Sequence, residues 1–78
     1  MKAKVHVFLK PGVLDPQGRA IHHALEGLGF GGIHAVRQGK LIELELDETD
    51  PERARAAADA MAAKLLANPV IESWRIEI

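Results

Sequence analysis

The sequence predicts an α+β fold of order βαββαβ, a four-stranded antiparallel sheet with two helices on one face. Three observations carry this. Apolar and polar residues alternate along 3–10, 41–47 and the final run VIESWRIEI at 70–78, the period-two pattern of half-buried strands. Two segments with helical apolar spacing each open on the same dipeptide, Asp15-Pro16 and Asp50-Pro51. There the aspartate caps, and the proline fills the first helical position without losing a hydrogen bond. The resulting order is two split βαβ halves with right-handed crossovers, the ferredoxin-like topology.

The first strand, residues 3–10, sets Val5, Val7 and Leu9 against Lys4, His6, Phe8 and Lys10. The elbow LKPGVLDPQG at 9–18 follows, with two prolines, two glycines and one acid. The first helix carries Ala20, Ile21, Ala24, Leu25 and Leu28 on one stripe and stops at Gly29, where a left-handed residue would end it. GFGG at 29–32 reads as a loop and IHAVRQ at 33–38 as the second strand. Gly39-Lys40 reads as a tight turn joining it to a third strand at 41–47, together a hairpin. The second helix places Ala54, Ala57, Ala58, Met61, Leu65 and Leu66 on its apolar face and ends at Asn68-Pro69. The last strand turns Trp74, Ile76 and Ile78 inward, away from Ser73, Arg75 and Glu77.

Seventy-eight residues make one domain, 1–78. Ten Lys plus Arg balance eleven Asp plus Glu, so the basic excess of a nucleic-acid binder is missing. No run approaches the ~20 apolar residues of a membrane span, nor does the N-terminal stretch resemble a secretory leader. A cytoplasmic protein is expected. With two Phe, one Trp, no Tyr and twelve Ala, the core is small. A domain of this size buries only about 60% of its unfolded surface. A homo-oligomer, a dimer or dimer of dimers, is therefore expected to supply the missing burial.

The residue types needed for chemistry are sparse. There is no cysteine, and the only side-chain hydroxyls are Thr49, just before a helix start, and Ser73, in a strand. A nucleophile needs an oriented base beside it. His6, His22, His23 and His34 lack the spacing of a zinc site. The elbow holds no phosphate-loop pattern, and Asp15 at the helix start would repel a phosphate there. Base stacking on a sheet needs strand aromatics, and only Phe8 and Trp74 sit on strands. The reading is a non-catalytic interaction module.

The stretch KAKVHVFLKPGVLDPQGRAIHHALEGLGF, the turn VRQGK and the ending LANPVIESWRIEI resemble, over essentially the whole chain, the small PurS-type subunit of phosphoribosylformylglycinamidine (FGAM) synthase. The resemblance implies a homo-oligomer that assembles with a large synthase subunit and a glutaminase subunit. That complex converts formylglycinamide ribonucleotide (FGAR), ATP and glutamine to FGAM in de novo purine biosynthesis. It implies no catalytic residue, cofactor or metal in this chain, the complex using ATP and Mg. Matching the family's motifs assigns Pro11, Gly12, Asp15, Pro16, Gln17 and Gly18 to the elbow. Arg37, Gly39 and Lys40 fall to the hairpin turn. All nine are candidate partner contacts, although turn geometry alone would also explain Gly12, Asp15, Pro16 and Gly39. The alternative is an ACT-like small-molecule-binding regulatory domain of the same order. An acylphosphatase-like hydrolase fits poorly, because Arg19 falls inside the helix and the only Asn, Asn68, precedes Pro69.

Overall fold

Alternation in KAKVHVFL makes β1 (Lys2–Leu9) the centre of the sheet. Its inward residues Ala3, Val5 and Val7 are all but fully buried. In this computed structural model, which describes residues 1–78, β1 is followed by α1 (Pro16–Gly27), β2 (Gly39–Glu45), α2 (Pro51–Met61) and β3 (Glu72–Glu77). A π-helical turn (Ala62–Leu66) extends α2. The strands are antiparallel in the order β2-β1-β3, with Val5 opposite Ile42 on one side and Ile76 on the other. Period-two geometry then puts Ile42, Leu44, Trp74 and Ile76 on the face that carries Val5, where they pack around the core.

One helix covers that face. Ala54, Ala58 and Ala62 of α2 and its extension have no exposed surface, and a row of alanines lets a helix lie close on a sheet. Met61 and Leu65, assigned to the buried stripe by helical spacing, are instead exposed. After Met61 the helix widens into the π-turn, closed by Ala67 N–H donating to Ala62 O at 2.9 Å, and Ala62 takes the inward position. Close packing at alanine makes volume the sensitive variable. Ala58→Leu is expected to lower the thermal midpoint by ~5–20 °C through overpacking of about 1–3 kcal/mol, measured by circular dichroism.

Two expectations are corrected. The sheet has three strands, because residues 33–38 form none and there is no hairpin at Gly39-Lys40. Instead of pairing with β2, this segment runs back along α1. Ile33 O lies 2.9 Å from His22 Nε2, and Gln38 N–H donates to Asp15 Oδ2 at 2.8 Å. Gly39 and Lys40 belong to β2 itself. Likewise the two helices do not share a sheet face: α1 packs closely against no other element. Its stripe of Ala20, Ile21, Ala24, Leu25 and Leu28 contributes nothing to the buried core.

The chain is consequently long. Its radius of gyration is 15.6 Å and its extents are 47 × 24 × 15 Å, against roughly 11–12 Å for the radius of a compact domain of this length. A body of sheet plus α2 carries an arm made of α1 and the segment returning from it.

Candidate subunit interface

The arm leaves the body at the elbow. Gly12 turns the chain with φ +88°, a left-handed conformation in which a side chain would be strained. Asp15 caps α1 as its sequence position implies, accepting from Gly18 N–H at 2.9 Å through Oδ1, with Pro16 at the helix start. The other carboxylate oxygen does something the sequence did not reveal, accepting from Gln38 N–H on the returning segment. Gly18 allows this approach: a Cβ there would lie 2.6 Å from both Asp15 Oδ2 and Val36 O. Arg37 Nη2 donates to Leu9 O at 2.7 Å and Lys10 O at 3.2 Å, joining the returning segment to the end of β1. Lys10 is itself held to the far loop, its N–H donating to Ile71 O at 2.8 Å and its Nζ to Pro69 O at 2.7 Å.

The nine sequence-assigned residues are thus partly gathered. Asp15, Pro16, Gln17, Gly39 and Lys40 surround one open hollow of about 360 Å³ beside Val7 and Leu9. Gly18 is buried in the first turn of α1, Arg37 is turned to the carbonyls of Leu9 and Lys10, and Pro11 and Gly12 form the turn after β1. Lys40 forms no ion pair. Gly39 sits in extended backbone opposite Phe8, so its role is close approach rather than turning. A Cβ there would come within 2.5 Å of the Phe8 ring and 2.6 Å of Val7 O. Val36 and Gln38 escaped the sequence reading, which weighs His22 only as a metal ligand. The spacing of Gln38 from Asp15 carries no local signal of their contact.

No group of His, Asp and Glu side chains gathers to hold a metal. His6 Nε2 lies 2.7 Å from Glu77 Oε1 on the uncovered sheet face, and the backbone carbonyl of Ile33 engages His22. No helix is long and apolar enough to cross a membrane.

The bonds from Gln38 N–H and Gly18 N–H hold the buried Asp15 carboxyl below its ordinary 3.8, against the opposing effect of burial, with Arg37 adding attraction. Glu77 is lowered from 4.5 chiefly by its bond with His6. Carboxyls depressed on folding stabilise fully above their unfolded values, and that contribution disappears as pH falls through the folded ones. The thermal midpoint is expected to stay level from pH 7 to about 5 and to drop below about pH 4. Asp15→Asn should flatten part of that decline in a pH series of melts.

The family model described as "PurS: Phosphoribosylformylglycinamidine (FGAM) synthase" matches residues 2–78. The chain belongs to the PurS family. The Mycobacterium leprae phosphoribosylformylglycinamidine synthase subunit PurS is 52% identical over 75 residues, covering 96% of this chain and 91% of that protein. Among solved structures, Methanocaldococcus jannaschii PurS superposes with a TM-score of 0.87 at 42% identity, covering 97% of this chain and 92% of that one. That protein is described as one of the subunits of formylglycinamide ribonucleotide amidotransferase in the purine biosynthetic pathway. A chain of the Thermotoga maritima structure described as PurLQS matches with a TM-score of 0.87 at 29% identity, covering 97% and 93%. The extended PurS shape seen here, arm included, is therefore shared with solved relatives across nearly the whole chain.

Proposed function

We propose that this chain is the small, non-catalytic subunit of FGAM synthase, bridging the large synthase subunit and the glutaminase subunit during glutamine- and ATP-dependent conversion of FGAR to FGAM. The observation that carries this is the whole-length match to a PurS chain within the Thermotoga maritima PurLQS structure. The arm supports it as well, since Leu28 and Phe30 are 75% and 58% exposed, and exposed apolar clusters mark interaction surfaces. ATP and Mg belong to the complex rather than to this chain, which works in the cytoplasm.

The same reading includes a homodimer. The chain exposes 5613 Å², about 950 Å² more than surface–mass scaling gives for a monomer of its size. One partner in a standard interface loses about 800 Å², so a single two-fold contact would cover an excess of this size.

Gel filtration of the three purified subunits tests the bridging role. A ternary peak that forms only in the presence of this chain supports it, and unaltered co-elution of the other two without it rejects it. Lys40→Glu probes the hollow, because Lys40 has no internal carboxylate partner to lose. It should weaken assembly at least ~fivefold if an acidic partner group sits there, with the melt unchanged. Arg37 is a poorer probe, because its guanidinium already holds the elbow.

A further inference from the structure

We propose that Asp15 is a positioning residue that locks the direction of the α1 arm relative to the sheet, and thereby sets the geometry in which the chain meets a second copy; the second half rests on the homodimer reading above.

The arm needs such a lock because packing does not supply one. With α1 close-packed against no other element, only the two backbone legs that cross the elbow can fix its angle. One leg leaves β1 through Lys10–Asp15 and the other returns through Arg37 and Gln38 into β2. The outgoing leg turns at Gly12 with φ +88° and is closed by Val13 N–H donating to Lys10 O at 3.1 Å, a bond within that leg that does not reach the returning one. Side-chain bonds join the legs at two points. Asp15 grips the first turn of α1 with Oδ1 and the residue preceding β2 with Oδ2. Arg37 grips the carbonyls of Leu9 and Lys10.

The arm beyond the lock holds itself together. His22 Nε2 meets Ile33 O at 2.9 Å, and Phe30 N–H donates to Leu25 O at 3.1 Å. Its α1 has 12 residues, about 18 Å long at 1.5 Å per residue, so a 10° swivel at the elbow moves its far end by about 3 Å. Close-packed apolar surfaces do not absorb a shift of that size.

A cap requires one acceptor, and asparagine serves there as well as aspartate. The second oxygen of Asp15 is surplus to capping and is spent on Gln38. Asp15→Asn consequently separates the two roles. It keeps Oδ1 for Gly18 N–H and turns an amide donor toward Gln38 N–H.

The protein contains no cysteine, so paired spin labels can be placed cleanly at His23→Cys on α1 and Glu45→Cys on β2. Labelled chain is diluted into unlabelled chain to isolate the distance within one copy, and dimer dissociation is followed by sedimentation. The original elbow should give a narrow distance distribution. Asp15→Asn should broaden or displace it and raise the dimer dissociation constant at least ~tenfold, a change larger than its effect on the melt implies. A narrow, unshifted distribution with unchanged dissociation would overturn the lock, even if the melting temperature falls. Asp15→Ser, which offers the α1 cap one acceptor and has no second oxygen for Gln38, is the second variant and is read by the same outcomes should Asp15→Asn fold poorly. If the unmutated chain stays monomeric at micromolar concentration, the dimer reading and the second half of the proposal fail, while the label distances still decide the lock itself.

Discussion

Omitting this chain from a reconstituted FGAM synthase is expected to cut glutamine-dependent synthesis by at least ~100-fold, the size of effect that misplacement of reacting groups produces. On the bridging reading proposed above, the chain supplies no catalytic group of its own. Its side-chain hydroxyls are Thr49 and Ser73 alone, and two of its histidines are engaged, His6 by Glu77 and His22 by the Ile33 carbonyl. The loss would come from assembly, because tethering two active sites in one particle raises the effective concentration at which ammonia made in one reaches the other. Ammonia added directly removes that need, so ammonia-driven synthesis should fall much less. The measurement is FGAM formation by large subunit and glutaminase, with and without this chain, on each nitrogen donor. Full glutamine-dependent activity in its absence would reject the bridging role. An equal loss on both donors would instead indicate that the chain acts on the large subunit's own chemistry.

Gly39→Val should be the most damaging single substitution in the elbow region, lowering the thermal midpoint by ~10 °C or more. The usual argument for a glycine, a left-handed φ, does not apply here, since only Gly12, Gly29 and Gly32 have one. The cost arises from space. A Cβ at 39 falls 2.5 Å from the Phe8 ring, which can rotate away, and 2.6 Å from Val7 O, which is backbone and cannot. Relief requires β1 and β2 to separate at the Phe8–Gly39 pair. That separation also disturbs Gln38, the residue held by Asp15. Phe8→Ala should not rescue the variant, because it removes the ring and leaves the carbonyl. Gly31→Val is the control, having open space around it and no left-handed φ, and should melt within a few degrees of the parent. Equal midpoints for the two valine variants would refute the close-approach role.

Much of this protein is decided by neighbours in sequence. Asp15 and Asp50 cap their helices because an aspartate side chain reaches the N–H groups two or three residues on, whatever the rest of the chain does. Ala3, Val5 and Val7 face the core because successive side chains of a strand point to opposite sides. Trp74 and Ile76 follow the same rule. Likeness to the PurS family was legible too, since it depends on residue order alone. The segment 33–38 failed because a short apolar run does not say which neighbour it will lie beside. Alongside α1 it finds His22 and Asp15, and pairing with β2 is unnecessary.

The candidate site divides in the same way. That the elbow is a rigid, capped junction follows from Pro11, Gly12, Asp15 and Pro16. That Asp15 has a second partner follows from Gln38, 23 residues away, and a contact over such a separation leaves no periodic or local trace. The stripe on α1 is the clearest case. Helical spacing establishes that one face is apolar, but amphipathicity is a property of a single helix and cannot specify what covers that face. The tertiary structure put α2 alone on the sheet, because its alanines allow closer approach, and left α1 on an arm with its apolar side uncovered.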